Sequence, residues 1–187
     1  MLAGLLAGMP TPLAPLQILW MNLITDGPPA LALGVEPGEK SVMERPPSPP
    51  GESVFSRGVG RDILWIGLLM GSLALGLGWW YWSRGLEQWQ TMIFTTLTLS
   101  QMTLALAVRS PRESFFKLGP WSNLPLTLAV VLSTGLQLAV VYFEPLQGIF
   151  GTVPLMGTDM LLACGAAAVV FAAVELEKVF ARGRAGV

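Results

Sequence analysis

Long apolar stretches alternate along this chain with short polar ones. Five of them stand out, at residues 13–35, 63–82, 89–108, 124–143 and 159–176. Each is close to the roughly 20 residues that a helix rising about 1.5 Å per residue needs to cross a hydrocarbon core. The pattern predicts an all-α membrane protein, a bundle of five transmembrane helices. A shorter apolar run at residues 2–9 covers well under half a bilayer, and no basic residue precedes it as in a signal peptide. It is expected to be a partial N-terminal helix, the end of a preceding span. The segment 36–61 is the one substantial polar loop. Its Arg45-Pro46-Pro47-Ser48-Pro49-Pro50 stretch cannot continue a helix and is expected to be an extended connector.

Charge gives the bundle a direction. Lys40, Arg45, Arg57 and Arg61 lie between the first two spans, Arg109, Arg112 and Lys117 between the third and fourth, and Lys178, Arg182 and Arg184 near or beyond the end of the fifth. Of the 11 basic residues, Arg84 alone falls in an opposite loop. Basic residues concentrate in cytoplasmic loops, so the N-terminus is expected outside and the C-terminus in the cytoplasm. Trp79, Trp80, Trp82 and Trp89 bracket the second loop, as an aromatic belt would. Gly67 with Gly71, and Gly4 with Gly8, have the spacing that lets helices pack closely.

Composition narrows the function classes. Charged residues make up 12% of the chain and apolar residues 52%, with a formal net charge of -1, which gives no basic surface for nucleic acid. Histidine is absent and Cys164 is the one cysteine, so imidazole metal sites and an internal disulfide are excluded.

The first span carries the chemistry. It contains Asn22, Thr25 and Asp26, followed by Gly27-Pro28-Pro29. A charged side chain at mid-span costs about 2.5–3.5 kcal/mol on insertion scales, so it normally faces protein or water and has a partner. Residues three and four apart share a helix face. A carboxylate, an amide and a hydroxyl are hard oxygen ligands, suited to Ca²⁺, Mg²⁺ or Mn²⁺. The Gly-Pro-Pro run is expected to interrupt the helix and free carbonyls at that depth, a device of ion-binding transporter helices. The alternative reading is a protonated carboxyl hydrogen-bonded to a neighbouring helix. Gln101, in the third span, offers a further neutral oxygen or an interhelical hydrogen bond. Glu175 and Glu177, beside Lys178, are expected to be interfacial.

The ordered string Pro15-Leu16-Gln17-Ile18-Leu19-Trp20-Met21-Asn22-Leu23-Ile24-Thr25-Asp26-Gly27, then Pro29-Ala30-Leu31-Ala32-Leu33-Gly34 and Arg45-Pro46-Pro47, resembles the sixth span and following loop of calcium-pumping P-type ATPases. Phe94-Thr95-Thr96-Leu97 with Leu99-Ser100-Gln101 resembles the eighth span of bacterial members, and Pro145-Leu146-Gln147 with Phe150-Gly151-Thr152 the loop before the tenth. The resemblance implies one C-terminal membrane domain over residues 1–187, with Asn22, Thr25 and Asp26 as ligands of a transported divalent cation, calcium or manganese. It puts Gln101 where two-site pumps have a glutamate ligand, which brings the single-ion Golgi type nearer. Pro28 stands where the motif commonly has leucine. It also implies a bacterial cytoplasmic membrane as the location.

No Asp-Lys-Thr-Gly-Thr phosphorylation motif and no Gly-rich phosphate loop occur in the chain. Residues 1–187 therefore hold no catalytic residue and no resident cofactor. ATP and Mg²⁺ would enter through a headpiece, and the implied partners are the lipid bilayer and the remaining ATPase part with spans one to five. Two readings stand: a segment of a cation pump, or an autonomous non-enzymatic membrane protein such as a regulatory partner or passive cation-binding module.

Overall fold

The computed structural model describes residues 2–36, 59–110 and 113–185. The proline-rich connector, Lys40, Arg45, Arg57 and Arg112 lie outside the described residues, as do the side chains of Arg182 and Arg184. Among the described residues every regular element is helical. A short α1 (Leu2–Leu6) precedes a composite run of α2 (Pro15–Trp20), a π-helical turn (Met21–Asp26) and α3 (Gly27–Gly34). Then come α4 (Val59–Trp82), α5 (Trp89–Ala107), α6 (Phe115–Leu118), a 3₁₀ turn (Pro120–Ser122), α7 (Leu124–Tyr142), α8 (Glu144–Phe150) and α9 (Gly157–Ala185). Among the described residues, three stretches, Val59–Trp82, Leu124–Tyr142 and Gly157–Phe180, are long and apolar enough to cross a membrane by length and composition.

The composite run and α5 fall where the first and third apolar stretches predict them. Polar residues set α5 apart from those three stretches, and division into the short segments Pro15–Trp20, Met21–Asp26 and Gly27–Gly34 sets the composite run apart. The centre of the bundle is α5, which packs on α9, α4, α7, the π turn and α3. Thr91, Met92, Ile93, Phe94, Thr95 and Thr96 are buried in an unbroken row. A helix buried on all sides needs small or apolar side chains all round, and threonine serves at close helix contacts in membranes. Phe94 and Ile93 join Met9, Leu13, Ala74, Val140 and Phe150 in the main apolar cluster. Helices α4 and α5 pack tightly at Gly78, where a Cβ would run into the Ile93 side chain. Gly67 and Gly71, expected to mark a helix contact, meet nothing within 4 Å among the described residues. Spacing alone does not say which small residues lie at an interface, and Gly78 does.

Polar ties close both ends of the bundle. At one end, Tyr81 Oη donates to Asp159 Oδ1 at 2.6 Å, and Asp159 Oδ2 accepts from the Met156 N–H at 2.8 Å, capping the start of α9. Gln90 Nε2 donates to the Thr11 carbonyl at 2.8 Å. At the other end, Arg109 pairs with Glu36 at 2.7 Å and donates to the Gly119 carbonyl at 2.9 Å. Asn123 donates to the Ala32 carbonyl at 3.0 Å, and its Oδ1 caps α7 by accepting from the Leu126 N–H at 2.9 Å. Glu175 and Lys178 pair toward the end of α9, and the Lys178 side chain is 6% exposed. Its ammonium donates to Glu175 at 2.8 Å, to the Ala107 carbonyl that ends α5, and to the Glu113 carbonyl at 3.1 Å. A cation at the negative end of a helix satisfies carbonyls that have no intrahelical donor. Arg61 reaches Glu177 at 2.8 Å on the surface beside it.

Candidate cation site

Local sequence shapes the composite run. Pro15 takes the first position of α2, where its missing N–H is no loss, and Gln17 returns to accept from the Ala14 N–H at 3.1 Å. Gln17 is fully buried and donates its amide to the Phe150 carbonyl at 3.0 Å, tying α2 to α8. Trp20 meets the Phe150 ring edge-on at 5.0 Å between centroids.

The α-helical pattern is interrupted just before Gly27-Pro28-Pro29 and not within it. The helix widens over Met21–Asp26 into a π turn, and an α-helix resumes at Gly27 with proline in its first turn. Pro28 and Pro29 lack the N–H groups that would continue the ladder, and the wider turn upstream takes up the mismatch. The Ile24 carbonyl bears the consequence. Its α-helical donor would be residue 28 and its π-helical donor residue 29, and both are proline. Ser133 Oγ of α7, 2% exposed, donates to that carbonyl at 2.8 Å.

Of the four sequence-predicted residues, the structure brings together Thr25 and Gln101. Thr25 is 2% exposed, and its Oγ1 lies 2.8 Å from both the Met21 carbonyl and Gln101 Oε1. A single hydroxyl proton satisfies one acceptor at a time; turning the amide over lets Gln101 donate instead, so that both bonds form. Asn22 and Asp26, by contrast, are exposed on the outward surface of the π turn, with Leu19 and Leu23 exposed beside them. No group of three or more His, Cys, Asp or Glu side chains able to hold a metal occurs among the described residues. The described part of the site therefore offers one carboxylate, one amide, and a hydroxyl–amide pair behind them.

Sequence reasoning missed the support behind the π turn. Besides Ser133, Gln137 of α7 is fully buried, and its Oε1 accepts from Trp20 Nε1 at 3.1 Å. The available signal was the spacing of Ser133 and Gln137, four apart in a helix that is otherwise almost wholly apolar. In α5, the hydroxyls of Thr95, Thr96, Thr98 and Ser100 are buried and without a hydrogen-bond partner among the described residues. Buried polar atoms ordinarily find a partner, so their concentration within two turns of Gln101 sets this part of α5 apart.

A family model described as "Cation transporting ATPase, C-terminus" matches residues 10–180. The chain belongs to that family. Among curated relatives it is 41% identical over 172 residues to a calcium-transporting ATPase of Bacillus subtilis (strain 168), covering 90% of this chain and 19% of that protein. It is 36% identical over 185 residues to human calcium-transporting ATPase type 2C member 1, covering 96% of this chain and 20% of that protein. The mouse type 2C member 2 protein is 35% identical over 179 residues, covering 92% and 18%. The chain thus spans about a fifth of the length of the relatives it matches. Family membership, with the three long apolar helices, makes it a multi-pass integral membrane protein.

Proposed function

We propose that this chain forms the C-terminal membrane part of a P-type pump for a divalent cation, calcium or manganese. It crosses the bilayer five times, with its N-terminus outside, its C-terminus in the cytoplasm, and a bacterial cytoplasmic membrane as its setting. Asn22, Thr25 and Asp26 serve as cation ligands. Gln101 holds Thr25 and adds a neutral oxygen. ATP and Mg²⁺ act on the phosphorylation and nucleotide-binding segments of the pump, and further spans complete the cage.

The observation that carries this reading is a carboxylate on a π turn. Asp26 stands in the middle of a helical run whose backbone pattern is broken at that place, with an amide and a hydroxyl within one turn. Hard oxygen donors suit Ca²⁺ or Mn²⁺. The outward exposure of Asn22 and Asp26 supports a cage that other spans close, since one carboxylate alone does not hold a divalent ion in a bilayer. The names of the relatives, all calcium-transporting, support the ion class.

The test is a chimera in which residues 1–187 replace the matching region of the Bacillus subtilis relative. The chimera should be phosphorylated by ATP in a calcium- or manganese-dependent way, and Asp26→Asn should abolish that dependence. Phosphorylation that persists unchanged in the Asp26→Asn chimera removes Asp26 from the site. Reporter fusions after Gly51 and Val187 should read as cytoplasmic and one at Gly148 as external; any other pattern overturns the topology.

A further inference from the structure

We propose that Ser133 is a positioning residue for the cation ligands, holding the Ile24 carbonyl so that the π turn keeps Asn22, Thr25 and Asp26 in register. The proposal rests on the reading of these three residues as ligands.

Two prolines in succession remove the backbone donor of one carbonyl in both helical registers. The α partner of Ile24 would be residue 28 and the π partner residue 29. A carbonyl without a donor in an apolar interior is costly, and a helix in that condition relaxes by kinking or fraying. Ser133 Oγ meets the carbonyl at 2.8 Å from a side chain that is 2% exposed. One turn along the same face of α7, Gln137 accepts from Trp20 at 3.1 Å. The two contacts grip the composite run at residues 20 and 24, on either side of Asn22 and just before Thr25 and Asp26. Thr25 is held from a third helix through Gln101 at 2.8 Å. The ligand-bearing turn is thereby splinted from behind, while Asn22 and Asp26 face away from the splint.

A positioning role makes a prediction that packing alone does not. Leucine at position 28 brings back a backbone N–H in the α register of Ile24, so it should make the Ser133 hydroxyl dispensable. The measurement is the calcium concentration for half-maximal phosphorylation in the chimera, with the KM for ATP taken alongside. Ser133→Ala should raise that concentration about five- to tenfold, the scale of one lost hydrogen bond to a buried group, and leave the KM for ATP unchanged. Ser133→Thr should restore it. In a Pro28→Leu background, Ser133→Ala should change it less than twofold.

An unchanged calcium dependence in Ser133→Ala, with Asp26→Asn still abolishing it, overturns the positioning role and leaves the functional reading intact. An equal loss with and without Pro28→Leu also overturns it, because the serine would then act through packing. Should Ser133→Ala alone fail to assemble, the Pro28→Leu/Ser133→Ala chimera decides: normal calcium dependence supports the role, and failure to assemble overturns it. Loss of the Asp26 effect, by contrast, strikes the functional reading itself.

Discussion

The Thr25 hydroxyl and the Gln101 side-chain oxygen stand 2.8 Å apart across 76 positions of the chain. The contact joins the π turn to the central helix α5, from a Thr25 side chain that is buried to a Gln101 that is half-buried. Thr25→Val preserves shape and deletes the hydroxyl. It should destabilise the purified chain in detergent by about 1–2 kcal/mol, since the Gln101 amide then lacks its partner. Thermal unfolding followed by circular dichroism checks this, and Thr25→Ser should recover most of the loss.

Lys178 supports a sharper expectation. Its ammonium is buried with Glu175 and with the Ala107 carbonyl at the end of α5. Lys178→Met keeps the stem and leaves Glu175 without its cation, so it should cost about 3–5 kcal/mol, the range for breaking one side of a buried pair. Replacing Glu175 by Gln as well should return part of that loss. Unfolding midpoints in a denaturing detergent titration give the comparison.

At the same end of the bundle, Glu36 gives the fold a pH dependence. Burial by itself would raise its carboxyl, but hydrogen bonds from Arg109 and Asn123 and the charge of Arg109 outweigh it and hold the carboxyl below its ordinary range. A group with a depressed folded pKa contributes stability at pH above its unfolded value, and that contribution is lost as pH falls through the folded value. Unfolding followed from pH 7 down to about pH 3 should show a loss of stability below about pH 4.5. Glu36→Gln should flatten that slope, and an unaltered slope would assign it to other carboxylates.

The α4–α5 contact should tolerate no side chain at residue 78. Gly78→Ala drives a methyl into Ile93, and overpacking of this kind typically costs about 1–3 kcal/mol. Ile93→Val in the same chain shortens the obstructing side chain and should recover part of the loss. A Gly78→Ala protein as stable as the parent would mean that α4 and α5 separate more readily than their contact suggests.

Helix positions were largely legible because a bilayer demands length and apolarity. The stretch expected at 124–143 is helix Leu124–Tyr142, and the one at 89–108 is Trp89–Ala107. The fate of Gly27-Pro28-Pro29 was not legible. Proline chemistry says that hydrogen bonds are lost, but it does not say whether the backbone unwinds or widens, and the partner that settles this, Ser133, lies 109 positions away. For the site, side-chain chemistry pointed to Asn22, Thr25, Asp26 and Gln101. It could not tell that Thr25 and Gln101 meet while Asn22 and Asp26 face outward, because that depends on how far the π turn rotates one pair from the other. The burial of Lys178 was not legible either, because nothing local in the sequence shows that the carbonyl ending another helix comes within its reach.

The clamp of Glu36, Arg109 and Asn123 has a mechanical consequence. Glu36 is the last described residue before the segment 37–58, and its side chain is fastened to Arg109, just after α5, and to Asn123, at the start of α7. A load reaching Glu36 along the backbone is therefore shared: part passes straight into α3, and part leaves through the side chain to Arg109 and Asn123. A tug at that point would thus pull on three helices together instead of on one.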